Sequence, residues 1–195
     1  MGPFTTHMIV HILLMNFIAP LAAFAVSRRD RNWCVAGAGT LGVASFLQLA
    51  ALWIWHAPAM LDLAMVSPAL HLLMYGSLFG TAFLFWTAVL ACRRARAWQP
   101  IAALLVTSKI YCLLAILLVF APRALYPGII GSHVTHGTPT MDAALADQQL
   151  AGLVMLAACP ITYVVAGLVI AARWLRAIGV SGAGAVPQVG TEAWT

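Results

Sequence analysis

The chain has 195 residues, of which 63% are apolar and 8% charged, and its formal net charge is +5 at pH 7. Soluble globular domains are roughly one-quarter charged, so this composition excludes an ordinary water-soluble fold and indicates a chain dissolved in lipid. The basic residues stand in short clusters between apolar runs. This pattern is a membrane-topology signal and argues against nucleic acid as a partner.

Five segments are long enough to cross about 30 Å of hydrocarbon, which takes about 20 helical residues. We predict spans at Phe4–Val26, Trp33–Trp55, Pro68–Cys92, Pro100–Ala121 and Asp147–Ala172. The first is expected to be retained rather than cleaved as a signal peptide, because no Lys or Arg precedes its long apolar run. Pro20 and Pro160 should kink their spans. The small residues Gly37, Gly39 and Gly42 suit a close helix contact in the second span.

The arginines set the predicted orientation. All except Arg123 lie in the segments 27–32 and 93–99 or just after the fifth span. The positive-inside rule then places the amino terminus outside and the carboxyl terminus in the cytoplasm. The predicted fold is therefore an all-α integral membrane protein, a bundle of about five transmembrane helices. Residues 1–176 form its single domain, and residues 177–195 are expected to be a disordered cytoplasmic tail.

All six histidines fall on the outer side in this topology. His7 and His11 begin the first span and share one helical face, because they are four residues apart. His56 ends the second span and His71 begins the third. The two remaining histidines, His133 and His136, lie in a Gly/Thr/Pro loop, where we expect them to be solvated. Histidines from distant parts of the chain are thus gathered at one end of the bundle.

Methionines follow the same bias, with Met8 and Met15 on the flank of the first span that carries its histidines. Imidazole together with thioether favours copper, and Cu(I) in particular, over hard cations. Cysteines are not found on the outer side, so neither a thiolate zinc set nor a disulfide is expected there. The predicted metal ligands are His7, His11, His56 and His71, with Met8, Met74 and Met155 as softer auxiliaries.

Four further polar residues of the spans call for an explanation. Asp147 completes the predicted metal site if it orients a ligating imidazole. Equally, it could stabilise the amino terminus of its own helix. Asn16 and Gln48 are predicted to form hydrogen bonds between helices. Lys109 falls near mid-membrane, where it should face the bundle interior or snorkel.

An ordered set of short motifs along the chain is similar to the motifs of a known protein family. The set consists of the run from His7 to Leu14 followed by Pro20-Leu21, then Trp55-His56-Ala57-Pro58, His71 with Phe85-Trp86, Leu125-Tyr126-Pro127, and the run from Asp147 to Met155. Together they resemble the CtaG-like family of cytochrome c oxidase assembly proteins. That resemblance implies a multi-pass protein of the bacterial cytoplasmic (inner) membrane. It also implies that the protein helps to mature a haem–copper oxidase by handling copper.

The chain departs from the family pattern at several points. Family members usually have further spans. A second histidine is expected one turn after His71, where this chain has Met74 and Tyr75, and Leu156 stands where a tryptophan is expected. Met74 is the predicted substitute for the missing imidazole.

The sequence predicts a non-enzymatic copper carrier that exchanges ligands with a haem–copper oxidase subunit. A periplasmic copper chaperone is a possible donor, and membrane lipid surrounds the bundle. A haem b electron carrier ligated by His11 and His71 is the first alternative. A scaffold subunit of an oxidase complex that binds no metal is the second. A copper permease is a third and weaker one, with only Met15, Cys112 and Cys159 as ligands beyond the outer end.

Overall fold

The structure is a computed structural model, and it describes residues 1–29, 38–92, 96–126 and 140–183. Regular structure within these ranges is entirely helical. The helices are α1 (Pro3–Arg29), α2 (Ala38–Trp55), α3 (Pro58–Val66), α4 (Pro68–Ala91), α5 (Trp98–Phe120) and α6 (Met141–Ala183). His133, His136 and the segment 30–37, which includes Gly37, lie outside the described residues.

Four of these helices, α1, α4, α5 and α6, are long and apolar enough to cross a membrane, and α2 with α3 makes a fifth span if the bent pair is counted as one. The bend between α2 and α3 is 74°. It follows from the sequence because Pro58 begins α3 and the preceding residue of a proline avoids helical backbone angles. The predicted all-α membrane bundle is confirmed. The short helix α3 was not predicted, because nine residues are too few for a span.

The five long helices form a ring in the spatial order α1, α4, α2, α5, α6, with each packed mainly on its two neighbours. Large apolar side chains such as Phe46, Leu72 and Leu168 cover the outside of this ring and are largely exposed. A surface of this kind is stable only against lipid. Lys109 is also exposed on this outer surface, halfway along α5, so it does not face the bundle interior.

One predicted close contact is wrong and another was missed. A Cβ atom on Gly39 or Gly42 would meet nothing within 4 Å, so neither glycine brings two helices together. Gly152 does so instead, since its Cβ would lie 3.0 Å from the Ala115 carbonyl oxygen and 2.8 Å from Val119 Cγ2. The spacing of small residues alone does not reveal which side of a helix faces lipid.

Two glutamines tie the ring together. Gln48 of α2 donates to the Tyr111 hydroxyl at 2.6 Å and to the Tyr163 hydroxyl at 2.7 Å, which joins α2 to α5 and α6. The predicted interhelical role of Gln48 is thus confirmed. Gln148 of α6 donates to the Leu118 carbonyl of α5 at 3.1 Å and accepts from the Leu125 amide at 2.7 Å. These bonds fix the chain after α5 beside the start of α6.

Helix α1 contains a π-helical turn at Leu14–Ile18, where the Ala19 amide donates to the Leu14 carbonyl five residues earlier. In the same pattern the carbonyl of Met15 would accept from residue 20, but proline has no N–H. The Trp86 indole of α4 donates to this carbonyl at 3.2 Å instead. Pro20 therefore acts through a widened turn, and an indole from a neighbouring helix supplies the missing donor.

Candidate metal centre

One end of the bundle carries the start of α1, the bend between α2 and α3, and the start of α4. We call this the histidine end. His7, His11, His56 and His71 all lie there, and their rings form one connected group with Tyr75 that we call the imidazole cluster. The four predicted imidazoles, which come from three separate helical segments, are thus brought together.

Ring centroids in the cluster are separated by 4.2 Å for His7 and His11, 5.8 Å for His7 and His71, and 5.5 Å for His11 and His56. A metal–nitrogen bond is about 2 Å long, so two imidazoles on one ion have centroids about 5 to 6 Å apart. Two of the three separations fall in that range. Within the described ranges, however, no three His, Cys, Asp or Glu side chains already converge as a metal-ligand group. Binding an ion by three such groups would therefore require side-chain rotation.

His56 has a fixed ring orientation. Its Nδ1 lies 2.7 Å from the Leu52 carbonyl oxygen, which can only accept, so Nδ1 carries the proton. In the neutral ring, Nε2 then has a free lone pair. This lone pair lies 3.3 Å from the sulfur of Met8, which has no proton to donate. Two lone pairs therefore face each other in the bundle interior, an arrangement suited to a cation between them.

Tyr126 holds the backbone that carries His56. Its hydroxyl donates to the His56 carbonyl at 2.6 Å, and its ring stacks on Phe4 of α1 at 4.7 Å. Burial, with a smaller contribution from Asp62, raises the pKa of Tyr126 to about 12, so the hydroxyl stays protonated and able to donate. The segment after α5 thus positions His56 and the start of α1 together.

Several buried nitrogens of the cluster lack partners. His7 Nε2 and both ring nitrogens of His11 make no hydrogen bond within the described part of the chain. His7 is 8% exposed and His11 3%. Leaving a buried polar group unpaired costs roughly 1–3 kcal/mol, and a bound ion is one of the usual reasons for such a group. These buried nitrogens are therefore available to a bound cation.

A small cavity of about 10 Å³ lies beneath these rings. His11, His56 and three thioethers line it, and the predicted auxiliaries Met8 and Met155 are among them, with Met15 as the third. Met74, the third predicted auxiliary, is fully buried in the core but does not belong to this lining. Tyr75 rather than Met74 lies among the imidazoles, with centroids 5.2 Å from His11 and 4.8 Å from His71.

Asp147 has a role that the sequence did not reveal. Its carboxylate accepts from the backbone amides of Gly2 at 2.8 Å, Phe4 at 2.9 Å and Thr5 at 3.3 Å, and from the Thr5 hydroxyl at 2.6 Å. Asp147 therefore caps α1, whereas its own helix begins earlier, at Met141. Among the described residues, none of its hydrogen bonds goes to an imidazole, so it positions the helix that carries His7 rather than a ligand ring.

His71 connects the cluster to the outside. It is half-buried and lines an open cleft of about 380 Å³ with Tyr75, Met65 and Pro68. From this cleft the rings of His71, His7 and His11 follow one another into the bundle. The three rings thus form a continuous row from the open cleft to the buried His11.

The family model of cytochrome c oxidase caa3 assembly factors (Caa3_CtaG) matches residues 1–177. No curated protein matches the chain, and no solved structure does so either.

Proposed function

We propose a copper-handling role from one premise: the chain belongs to the Caa3_CtaG family of cytochrome c oxidase caa3 assembly factors. In this proposal the imidazole cluster binds copper, as Cu(I), at the outer face of a bacterial inner membrane. The copper then passes by ligand exchange to a haem–copper oxidase subunit in the same membrane. A periplasmic copper chaperone is a candidate donor.

The observation that carries the proposal is the pairing of His56 Nε2 with the Met8 sulfur at 3.3 Å. The Leu52 carbonyl fixes the proton of His56 on Nδ1, which is the backbone hydrogen bond that commonly orients a metal-ligating histidine. Nitrogen and thioether donors together favour copper over hard cations. His7 and His11 add buried nitrogens that lack other partners.

Ligand exchange needs no covalent chemistry from the protein. A cation entering by the cleft first meets His71 and then His7, each of which can replace a ligand of the donor. Soft donors deeper in the bundle hold the ion more firmly. Release reverses these steps when an oxidase subunit presents a better set of ligands. The protein thus acts as a carrier rather than an enzyme.

The cavity size favours an ion over haem b. The space beside His11 and His56 is about 10 Å³, roughly what a single water molecule occupies. A porphyrin ligated by His11 and His71 would have to separate α1 from α4. Met8 and Met155 are buried, and their sulfur atoms are available as donors for copper. A haem ligated by two histidines would leave both sulfur atoms without a role.

The test is copper stoichiometry of the detergent-purified protein loaded with Cu(I). Wild type is expected to retain copper through desalting, and the His7→Ala/His11→Ala double variant to lose most of it. A double variant on the lipid-facing side of the same helix, Val10→Ala/Leu13→Ala, is the matched control and should bind as wild type does, because both residues are exposed. Equal copper in wild type and the histidine variant would favour a scaffold. A Soret band in the absorbance spectrum would favour the haem carrier.

A further inference from the structure

We infer that the cavity below the imidazole cluster is a second Cu(I) position, formed by Met15, Met155 and Cys159 together with His11. We call it the deep site. The inference rests on the proposed function, since it takes its cargo from the imidazole cluster, but its donors are mainly sulfur rather than nitrogen. It assigns the deep site a holding role during copper transfer.

The lining of the cavity supports this assignment. Met155 and Cys159 are four residues apart on α6, so their side chains share one helical face, and both are 3% exposed. Met15 and His11 approach from α1, and Met8 and His56 close the side towards the imidazole cluster. Thioether and thiolate sulfurs are the donors that select Cu(I).

Unpartnered polar groups point to a ligand at the same place. His11 is 3% exposed and neither of its ring nitrogens makes a hydrogen bond among the described residues. Asn16, which also lines the cavity, is 2% exposed, and its side chain faces the Cys159 thiol of α6. Its predicted contact between helices is thus made with the Cys159 thiol. Because His11 contacts His7 and His56 and also lines the cavity, it can pass an ion from the imidazoles to the sulfurs.

The π-helical turn of α1 carries two of the cavity residues, Met15 and Asn16. Such turns widen a helix at a cost in backbone hydrogen bonding and are frequent at functional sites. Here the turn is held by the Trp86 indole on the Met15 carbonyl, and that bond fixes the residue that supplies a sulfur. The π-helical turn, which arises because Pro20 has no N–H, therefore also places Met15 and Asn16 at the cavity.

The deep site ends at a closed layer of side chains. Tyr111 lines the cavity. The side-chain amide of Gln48 donates to the hydroxyls of both Tyr111 and Tyr163. The Tyr163 ring packs against Tyr111 at 5.4 Å and Trp86 at 5.3 Å, and all of these side chains are buried. This layer closes the side of the deep site that lies away from the imidazole cluster. This closure favours a holding position over a permease pathway.

Cu(I) binding at the deep site exchanges ligands and releases one proton, without a change of oxidation state. Cu(I) keeps its oxidation state while its nitrogen ligands are replaced by sulfur. The Cys159 thiol loses one proton, which goes to the buffer, because a metal-bound thiol is deprotonated. Binding to neutral imidazoles and thioethers releases none. Proton release therefore separates the two positions.

The experiment is a Cu(I) titration of the full-length protein in detergent under anaerobic conditions, with protons counted by a pH indicator and ligands identified by X-ray absorption. Wild type is expected to bind about two Cu(I) per chain and to release about one more proton than Cys159→Ser. The Cys159→Ser variant should bind about one, with a shell richer in nitrogen. Cys92→Ser is the matched control, since Cys92 is a free, half-buried thiol that directly follows α4 and lies outside the cavity.

Met15→Leu, at the other deep-site thioether, provides a second variant of nearly equal volume that keeps the thiol. It should weaken the second Cu(I) at least tenfold and leave the first unchanged. Wild type that binds one Cu(I) with a nitrogen-rich shell, and releases the same number of protons as Cys159→Ser, would overturn the deep site and leave the proposed function intact. Wild type that binds no Cu(I) would overturn the proposed function itself.

Discussion

Replacing Asp147 with alanine is expected to loosen the first turn of α1 and, with it, the imidazole cluster. The carboxylate accepts three backbone amides and one hydroxyl, at 2.6 to 3.3 Å. A lost helix cap costs about 0.5–2 kcal/mol, and hydrogen bonds to a charged group about 1.5–3 kcal/mol. These contributions overlap, so we expect Asp147→Ala to lower the free energy of unfolding by about 2–4 kcal/mol. Asp147→Asn, which keeps one acceptor oxygen, should cost about half as much.

The measurement is unfolding of the purified protein by a denaturing detergent, followed by tryptophan fluorescence. Asp142→Ala is the matched control, because Asp142 is an exposed carboxylate in the first turn of the same helix. It should change the free energy by less than about 1 kcal/mol. Asp147→Ala should also weaken copper binding about 10- to 100-fold, the usual loss when a group supporting a ligand is removed. Equal stability of the Asp147 and Asp142 variants would refute the capping argument.

Three further substitutions test the packing and the cluster. Gly152→Leu should destabilise the bundle by about 1–3 kcal/mol, because the new side chain overlaps α5. Gly167→Leu is the control and should not destabilise it, because a Cβ atom at Gly167 meets nothing within 4 Å. Equal unfolding curves for the two variants would contradict this packing. Tyr75→His should raise copper affinity roughly tenfold in a competition titration with a chromophoric chelator, since it adds an imidazole beside three others. Unchanged affinity would mean that this position does not face the metal. Tyr126→Phe removes the hydroxyl that holds the His56 carbonyl and should cost about 1 kcal/mol of stability as well as copper affinity; copper binding equal to wild type would show that His56 needs no such support.

The sequence predicted the spans and the gathering of the histidines because both follow from short-range rules. Apolar length finds a membrane helix, and a spacing of four residues places His7 beside His11. Topology then brings His56 and His71 to the same end. These rules involve residues that are close in sequence or that share a membrane side, so they need no knowledge of which helices are neighbours.

The partners of Asp147 and Gln48 could not be predicted in the same way. The bonds of Asp147 to α1 join residues more than 140 positions apart, and they exist because α6 packs beside α1 in the ring. Nothing in the local sequence gives the ring order or the rotation of each helix. The same limit explains why Gly39 and Gly42 were assigned to a contact that Gly152 makes. The π-helical turn had one local signal, Pro20, but a simple kink was an equally good interpretation of it.

Tyr75 lies in the turn after His71, where the family pattern has a histidine, and it contacts His7. Its hydroxyl lies 3.4 Å from His7 Nδ1, so one of the two groups donates to the other. If the hydroxyl donates, the His7 proton lies on Nε2 and that nitrogen cannot bind a metal. If Nδ1–H donates to the hydroxyl oxygen, Nε2 has a free lone pair and becomes a ligand. The direction of this one hydrogen bond is therefore coupled to the tautomer of His7, and only the tautomer with its proton on Nδ1 leaves Nε2 free to bind a metal.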